Sequence, residues 1–354
     1  MRTIRVILVA VRELGARRNV VVERAAQIAA GCGARLELFH DLSTPVYVDT
    51  LLGSGKTLAA LTRTTRAAAV QRLERLAVPL RARGLKVTTA AAWDFPTYEA
   101  IVRRAMAIRA DLIVAHKHGH HRWPALMGYT DWELLRSSPT PVLLIKNPRF
   151  RPRAPVLAAI DPQLATTRPA PLEQEILRNA AALAAALRAP LHSVHVLAPW
   201  AGALADRRPL LERHTQAVGI KASHLHVLEG DPDLLLPATA RKLRAGITVM
   251  GAMSRRGLKR LFVGNSAERL LDDLPCDVLV IKPPRFPARM PRARGAAYFF
   301  CQTYPCPDRQ VRPRIRNERQ IDHDRYPHVR VAAAATTRRA AHGGVRAYAC
   351  GRWR

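Results

Sequence analysis

One stretch of the chain, residues 247–282, has the residue types and spacing best suited to binding a ligand. A short apolar run ends in Gly251, and a basic loop follows. A second glycine, Gly264, precedes a segment with helical periodicity and a final apolar run. A glycine lets backbone N–H groups approach an anion closely, and the N-terminus of a helix adds partial positive charge. The order strand, glycine loop, helix, strand therefore predicts a phosphate site in an α/β fold.

Polar and cationic side chains accompany these two glycines. Small polar residues stand close to both of them, and an arginine follows the first. Guanidinium N–H groups form strong, paired hydrogen bonds with phosphate oxygens. The candidate phosphate-binding residues are therefore Gly251, Ser254, Arg255, Gly264, Asn265 and Ser266.

Length and composition limit the kind of protein. The chain has 354 residues, of which 48% are hydrophobic, which is enough for two or three domains with substantial cores. Its formal net charge of +30 favours contact with phosphates, nucleic acid or anionic membranes. No nucleic-acid recognition motif accompanies this charge, so we do not expect nucleic acid as a partner.

The sequence lacks the patterns typical of exported and membrane-spanning proteins. The apolar run near the N-terminus is short and charge follows it at once, and no apolar run approaches about 18 residues. The five cysteines are scattered, without the spacing of a disulfide framework or a four-ligand zinc site. We therefore expect no membrane span and a cytoplasmic location.

Apolar runs and amphipathic segments alternate through most of the chain. In the first half, strands are predicted at residues 6–11, 35–40, 85–92, 111–114 and 141–145. The same order recurs from residue 156, and the endings of the halves match: PVLLIK at 141–146 corresponds to DVLVIK at 277–282. Repeated βα units predict parallel doubly wound sheets, one in each half.

The predicted fold class is therefore α/β, with two tandem five-stranded, parallel, Rossmann-like domains and an irregular C-terminal tail. The predicted domains are residues 1–147 and 155–284, joined by a linker rich in Pro and Arg. From about residue 291 the periodicity stops, and residues 291–354 form a basic tail that we expect to be disordered. An alternative origin of this tail is translation outside the normal reading frame.

The second-half loop resembles the nucleotide-binding loop of the universal stress protein family, whose pattern is Gly-x2-Gly-x9-Gly-Ser/Thr. Ser254 stands in place of the second glycine, and Asn265 takes the Ser/Thr position. The segments TDWELLR at 130–136 and VGNSAER at 263–269 indicate the tandem, E-type members of the family. This resemblance covers about residues 1–285.

The resemblance implies an adenine nucleotide site in the second half. In nucleotide-binding members, an Asp at the end of the first strand holds the adenine and ribose side, and Asp161 matches it. A Val that follows a His at the end of the second strand contacts adenine through its backbone, and Val196 matches it. The loop residues would then hold the phosphates of ATP together with Mg²⁺.

The first half departs from this pattern. Arg12 stands where Asp161 stands in the second half, and Ala115 and His118 replace the first two glycines of the loop. Only Gly128 remains. A cationic, bulky loop of this kind predicts that the first half binds no nucleotide and serves as a structural partner.

The resemblance implies a stress-response protein that binds an adenine nucleotide and acts as a regulatory module, not an enzyme. It also implies that the last strands of the two halves, residues 142–145 and 278–281, pair to form an intramolecular pseudo-dimer; a homodimer and an unknown protein partner are left open. The sequence offers no catalytic residues, and the histidines near residue 118 lack a carboxylate or Cys at ligand spacing, so no metal site is expected. The alternatives are a nucleotide-independent binder of an acyl ligand or a partner protein, and a weak ATPase.

Overall fold

A computed structural model describes the parts of the chain that carry the repeated βα units. The described residues are 4–15, 19–42, 58–117, 130–146, 151–161, 171–197, 208–252, 270–284 and 286. The predicted tail, residues 291–354, lies outside them, so its predicted disorder stays a prediction. The predicted domain boundaries likewise stay predictions.

Strands and helices alternate along the first half as the periodicity predicts. The elements are β1 (Val6–Ala10), α1 (Val20–Cys32), β2 (Arg35–Asp41), α2 (Leu58–Ala82), β3 (Val87–Ala92), α3 (Thr97–Ala107), β4 (Leu112–His116), α4 (Thr130–Ser137) and β5 (Val142–Ile145). Each predicted strand is present, and the bounds differ from the predictions by one or two residues.

The second half repeats this order. Its elements are β6 (Val156–Ala159), α5 (Pro171–Leu187), β7 (Leu191–Leu197), α6 (Arg208–Gln216), a 3-10 turn (Ala222–His224), β8 (Leu225–Glu229), α7 (Pro232–Lys242), β9 (Ile247–Gly251) and β10 (Asp277–Ile281). Residues 270–273 are helical and lead into β10.

All ten strands form one sheet in the order β3-β2-β1-β4-β5-β10-β9-β6-β7-β8. Pairing is parallel within each half, and β5 and β10 are antiparallel where the halves meet. The predicted α/β class and the predicted pairing of the last strands are therefore confirmed. The two predicted sheets are continuous with each other because this pairing joins their edges, which leaves neither last strand unpaired.

The central strands β1, β4, β5, β9 and β10 are mostly apolar because helices cover both faces of the sheet. One core cluster contains Ile7, Val9 and Leu279, and the other contains Leu8, Val278 and Val280, so successive residues of a strand alternate between the two faces. Local signals fix the helix ends. The Asn19 side chain accepts hydrogen bonds from Val21 N and Val22 N at the start of α1.

A pseudo-two-fold axis relates the halves, and equivalent residues meet on it. Leu143 pairs with Leu279 at the middle of the β5–β10 ladder, and these residues occupy the same place in the repeat. On one face of the sheet α1 packs against α5. There a Cβ on Gly31 would lie 1.8 Å from Ala186 O, so only glycine allows this approach of the helices.

Polar contacts also cross the junction between the halves. Arg24 on α1 forms an ion pair with Asp277 at the start of β10, with Nη2 and Oδ2 3.3 Å apart, and both side chains are buried. Lys146, which follows β5, donates from Nζ to carbonyls at the end of helical residues 270–273, including Leu271 O. Lys282, which follows β10, donates to Arg136 O at the end of α4. Each half therefore caps the last helix of the other.

Candidate functional site

The carboxyl edge of the second half brings together three of the predicted nucleotide-binding residues. Asp161 follows β6, Val196 is the penultimate residue of β7, and Gly251 is the last residue of β9. These strands are neighbours, in the order β9-β6-β7. The carboxyl edge of an open parallel sheet is where such folds form their ligand crevices. The sequence therefore predicted three residues that the fold does place along one edge.

Asp161 presents an accessible carboxylate at this edge. Its side chain is 57% exposed, in contrast to the buried residues of β6 that precede it. Behind it lies His195, which is buried and whose Nδ1 is 3.1 Å from Ile160 O and 3.9 Å from Asp161 Oδ1. The imidazole ring thus positions the chain at the point where Asp161 leaves the sheet. His195 is a positioning residue that the sequence indicated only as the neighbour of Val196.

Gly251 has a packing role as well as its predicted role toward a ligand. A Cβ at this position would lie 3.0 Å from Leu172 Cδ2 and 3.3 Å from Ile176 Cδ1. Both side chains belong to the first turns of α5, so the absence of a Cβ lets that helix lie close to the end of β9. The first residues of α5 therefore stand near the predicted site, where their backbone N–H groups favour negative charge.

The rest of the predicted phosphate loop lies outside the described residues. Ala252 N donates to Ile281 O, which extends the β9–β10 pairing by one residue at the carboxyl edge. Beyond it, the predicted ligand contacts stay predictions. The residues concerned are Ser254, Arg255, Gly264, Asn265 and Ser266.

The first half has the same local scaffold with different side chains. His40 Nδ1 lies 2.7 Å from Val11 O, and the equivalent contact in the second half joins His195 Nδ1 and Ile160 O at 3.1 Å. Arg12 then occupies the position of Asp161. The counterpart of Val196 is Asp41, whose Oδ2 accepts a hydrogen bond of 2.6 Å from Thr97 Oγ1. An arginine and an engaged carboxylate thus replace the accessible aspartate and the valine of the second half.

The sheet register corrects one predicted equivalence. Ala115 was expected to replace Gly251, but Ala115 pairs with Leu144 on β5, whereas Gly251 pairs with Ile281 on β10. The counterpart of Ile281 is Ile145, and it pairs with His116. The counterpart of Gly251 is therefore His116, because the alignment of two short apolar runs left a shift of one residue undetermined. His118 and Gly128 lie outside the described residues.

Two further properties concern the described residues as a whole. No helix among them is long and apolar enough to cross a membrane. Within those same segments, no group of three or more His, Cys, Asp or Glu side chains is arranged to hold a metal ion. The histidines considered at residues 118, 120 and 121 lie outside this part of the chain.

Comparison with known proteins agrees with this fold. The model of the universal stress protein family matches residues 3–146 and again residues 155–282. The chain therefore belongs to the universal stress protein family, and it carries two of the family's domains in tandem. Within the family it is of the E type, because it is 27% identical over 286 residues to universal stress protein E of Photorhabdus laumondii, covering 75% of this chain and 91% of that protein.

Other relatives support the same assignment. Universal stress protein E of Escherichia coli K12 is 29% identical over 224 residues, which are 57% of this chain and 70% of the relative. A solved structure of a universal stress protein from Pseudomonas aeruginosa UCBPP-PA14 superposes with a TM-score of 0.59 at 28% identity, covering 79% of this chain and 94% of the other. A role in the stress response follows from this membership.

Proposed function

We propose that the second half binds an adenine nucleotide, ATP together with Mg²⁺, at the carboxyl edge of β9, β6 and β7. In this proposal the protein is a regulatory binding module of the stress response and not an enzyme. The observation that carries the proposal is the convergence of Asp161, Val196 and Gly251 on three neighbouring strand ends. The described residues offer a carboxylate acceptor, the carboxyl end of a strand and a position without a Cβ along one edge of the sheet.

Each of these residues has a distinct role in the proposal. The exposed Asp161 carboxylate would accept hydrogen bonds from the ribose hydroxyls. The backbone of Val196 would contact the adenine ring. Gly251 would lead the chain into the phosphate loop, where Arg255 and the backbone N–H groups after Gly264 would face the phosphates. Mg²⁺ would be held mainly by phosphate oxygens, as is usual for nucleotide-bound magnesium.

The regulatory part of the proposal follows from the position of the site. Lys282 follows β10 and donates a hydrogen bond to Arg136 O in the first half. Ala252 follows β9, and its N–H donates to Ile281 O on β10. The ends of both strands are therefore linked to the junction between the halves. A ligand shifts the population of a state only through its differential affinity for that state. A nucleotide bound at the carboxyl edges of β9, β6 and β7 would therefore favour the state of the protein that it binds most tightly. A partner protein would then recognise that state.

The proposal is tested by titrating the full chain with ATP and Mg²⁺ in a calorimeter. Asp161→Ala should weaken binding about tenfold, because it removes charge-assisted hydrogen bonds to the ribose. The matched control is Arg12→Ala, at the equivalent position of the first half, and it should leave the affinity unchanged. Absence of ATP binding by the wild-type protein would remove the nucleotide proposal.

A second candidate is a nucleotide-independent ligand, such as an acyl compound or a partner protein. At the carboxyl edge of the first half, Arg12 stands in place of Asp161 and the bulky His116 in place of Gly251. These residues favour the second candidate, because they replace the features that suit a nucleotide. Native mass spectrometry of the ligand retained on purification separates the candidates: an adenine nucleotide supports the first, and a lipid or a bound protein supports the second. Phosphate release above background, abolished by Asp161→Ala, would instead identify a weak ATPase.

A further inference from the structure

A basic cavity opens at the opposite, amino edge of the second half. Its volume is about 270 Å³, and it lies where β6, β9 and β10 begin, next to the junction between the halves. Four arginines line it: Arg24, Arg151, Arg241 and Arg244. The remaining lining residues are uncharged, and Gly246 and Cys276 are among them.

The arginines give this cavity an excess of positive charge. Arg24 is buried, and Asp277, at 3.3 Å, balances its charge. Burial lowers the pKa of Arg24 and the Asp277 carboxylate opposes that effect. A guanidinium group stays protonated in proteins, so Arg24 contributes a positive charge. The other three guanidinium groups belong to exposed residues, and Arg241 Nη1 lies 3.4 Å from the backbone carbonyl of Asp273. Among the described residues that line the cavity, none carries a carboxylate side chain.

The first half shows that the fold does not require an arginine at two of these four positions. Arg244 and its counterpart Arg109 both follow a helix with left-handed backbones, at φ 52° and φ 53°. The counterpart of Arg241 is Met106, and that of Arg24 is Asn179. Both Met106 and Arg241 are the penultimate residues of their helices, α3 and α7. The C-terminus of a helix attracts cations, but α3 shows that this position accepts an uncharged residue.

Other differences between the halves also open this cavity to an anion. Asp111 Oδ2 accepts hydrogen bonds from Arg5 N and Val6 N in the first half, whereas its counterpart in the second half is Gly246, which has no side chain. The first half does have a cavity of about 550 Å³ at its amino edge. Glu37 lines that cavity, and its carboxylate already binds Arg104 in a bidentate pair.

We infer that the arginine cavity is a second anion site, which binds a small phosphorylated molecule. Guanidinium groups match the oxygens of a phosphate group with paired, charge-assisted hydrogen bonds. The volume suits a pyrophosphate group or a small phosphate ester and is below the usual range for drug-sized ligands. The site is separate from the proposed nucleotide site, because the two lie at opposite ends of the strands.

The inference is tested by calorimetric titration of the full chain with pyrophosphate. The double variant Arg241→Met and Arg244→Ala should weaken binding about tenfold or more, because it removes two guanidinium groups and leaves the Arg24–Asp277 pair intact. Met is the residue that the first half carries at the position of Arg241. The matched control is Arg109→Ala, which makes the same change at the same left-handed backbone position, and Asp161→Ala is the control for the nucleotide site.

Unchanged pyrophosphate affinity in the double variant, or an equal loss in Arg109→Ala or Asp161→Ala, would overturn the inference, as would absence of binding by the wild type. A second measurement needs no variant. Phenylglyoxal modifies accessible arginines, and mass spectrometry reports which ones react. Pyrophosphate should protect Arg241 and Arg244 and leave Arg109 reactive, whereas equal reactivity with and without pyrophosphate would contradict the site. Loss of ATP binding alone would affect only the proposed function.

Discussion

The carboxyl edges of the two halves have the same scaffold and opposite charge. In each half a histidine on the second strand contacts the carbonyl at the end of the first strand, at 2.7 Å for His40 and 3.1 Å for His195. The next residue is Arg12 in one half and Asp161 in the other. The backbone arrangement is therefore independent of the binding chemistry. The position that follows this shared contact is a cation in the first half and an exposed carboxylate in the second.

The largest difference between the halves lies at their junction, where Asp277 occupies the position of Pro141. Asp277→Asn keeps the size of the side chain but removes the carboxylate that faces the buried Arg24 guanidinium. We expect a loss of about 3 kcal/mol in the free energy of unfolding, because a buried charge would lose its compensation. Denaturant titration measures this loss. Pro141→Ala, the control, should cost clearly less, and equal losses would mean that the ion pair does not distinguish the halves.

A second difference is steric and lies on the pseudo-two-fold axis. Gly31→Ala would place a Cβ 1.8 Å from Ala186 O, so α1 and α5 would have to move apart. Overpacking of this kind costs about 2–3 kcal/mol. The reciprocal change, Ala186→Gly, relieves no contact and should cost about 1 kcal/mol through helix propensity. Thermal and denaturant unfolding of both variants measure these losses of stability. A larger loss for Ala186→Gly than for Gly31→Ala would contradict this description of the helix contact.

The lysines that cap the opposite halves predict a pH dependence of stability. Burial lowers the pKa of Lys282 to about 7, with a smaller effect of Arg136. The unfolded chain then binds more protons than the folded chain between pH 7 and about 10.5, so stability rises with pH in that window. Between pH 7 and pH 9 the rise from this group is about 2 kcal/mol. Lys282→Met should remove this rise in stability, and Lys221→Met, the control at an exposed position, should leave it unchanged. Identical slopes of stability against pH in both variants would refute the attribution of the rise to Lys282.

The smallest expected effect concerns Gly251 and its counterpart His116. Gly251→Ala places a methyl group against the flexible ends of Leu172 and Ile176, which can shift slightly, so we expect a loss of about 1 kcal/mol. His116→Ala lies at an exposed position and should change stability by less than half of that. Chemical denaturation of the two variants provides the comparison. A neutral Gly251→Ala would show that packing does not explain this glycine.

Much of the fold could be predicted because its signals are local. Apolar runs marked the strands, the matching endings of the halves marked the repeat, and the family resemblance led to the pairing of β5 with β10. The antiparallel direction of this pairing comes from the structure. The placement of Asp161 and Val196 at one edge followed from the rule that parallel strands expose their ligand site at their carboxyl ends.

The contacts that depend on the junction between the halves could not be predicted. Arg24 and Asp277 are far apart in sequence, and nothing in either segment shows that α1 reaches the start of β10. The arginine cavity has the same origin, since its residues come from both halves and from the residues before β6. Register was also beyond the sequence: two short apolar runs align equally well with Ala115 or His116 opposite Gly251, and only the partners on β5 and β10 decide.

The most direct test of the difference between the halves is the number of ATP molecules that one chain binds. Calorimetric titration of the full chain with ATP and Mg²⁺ gives this stoichiometry. A single site per chain, weakened by Asp161→Ala and unaffected by Arg12→Ala, is the predicted result. Binding of two nucleotides per chain, or of none, would contradict the assignment of nucleotide binding to the second half alone.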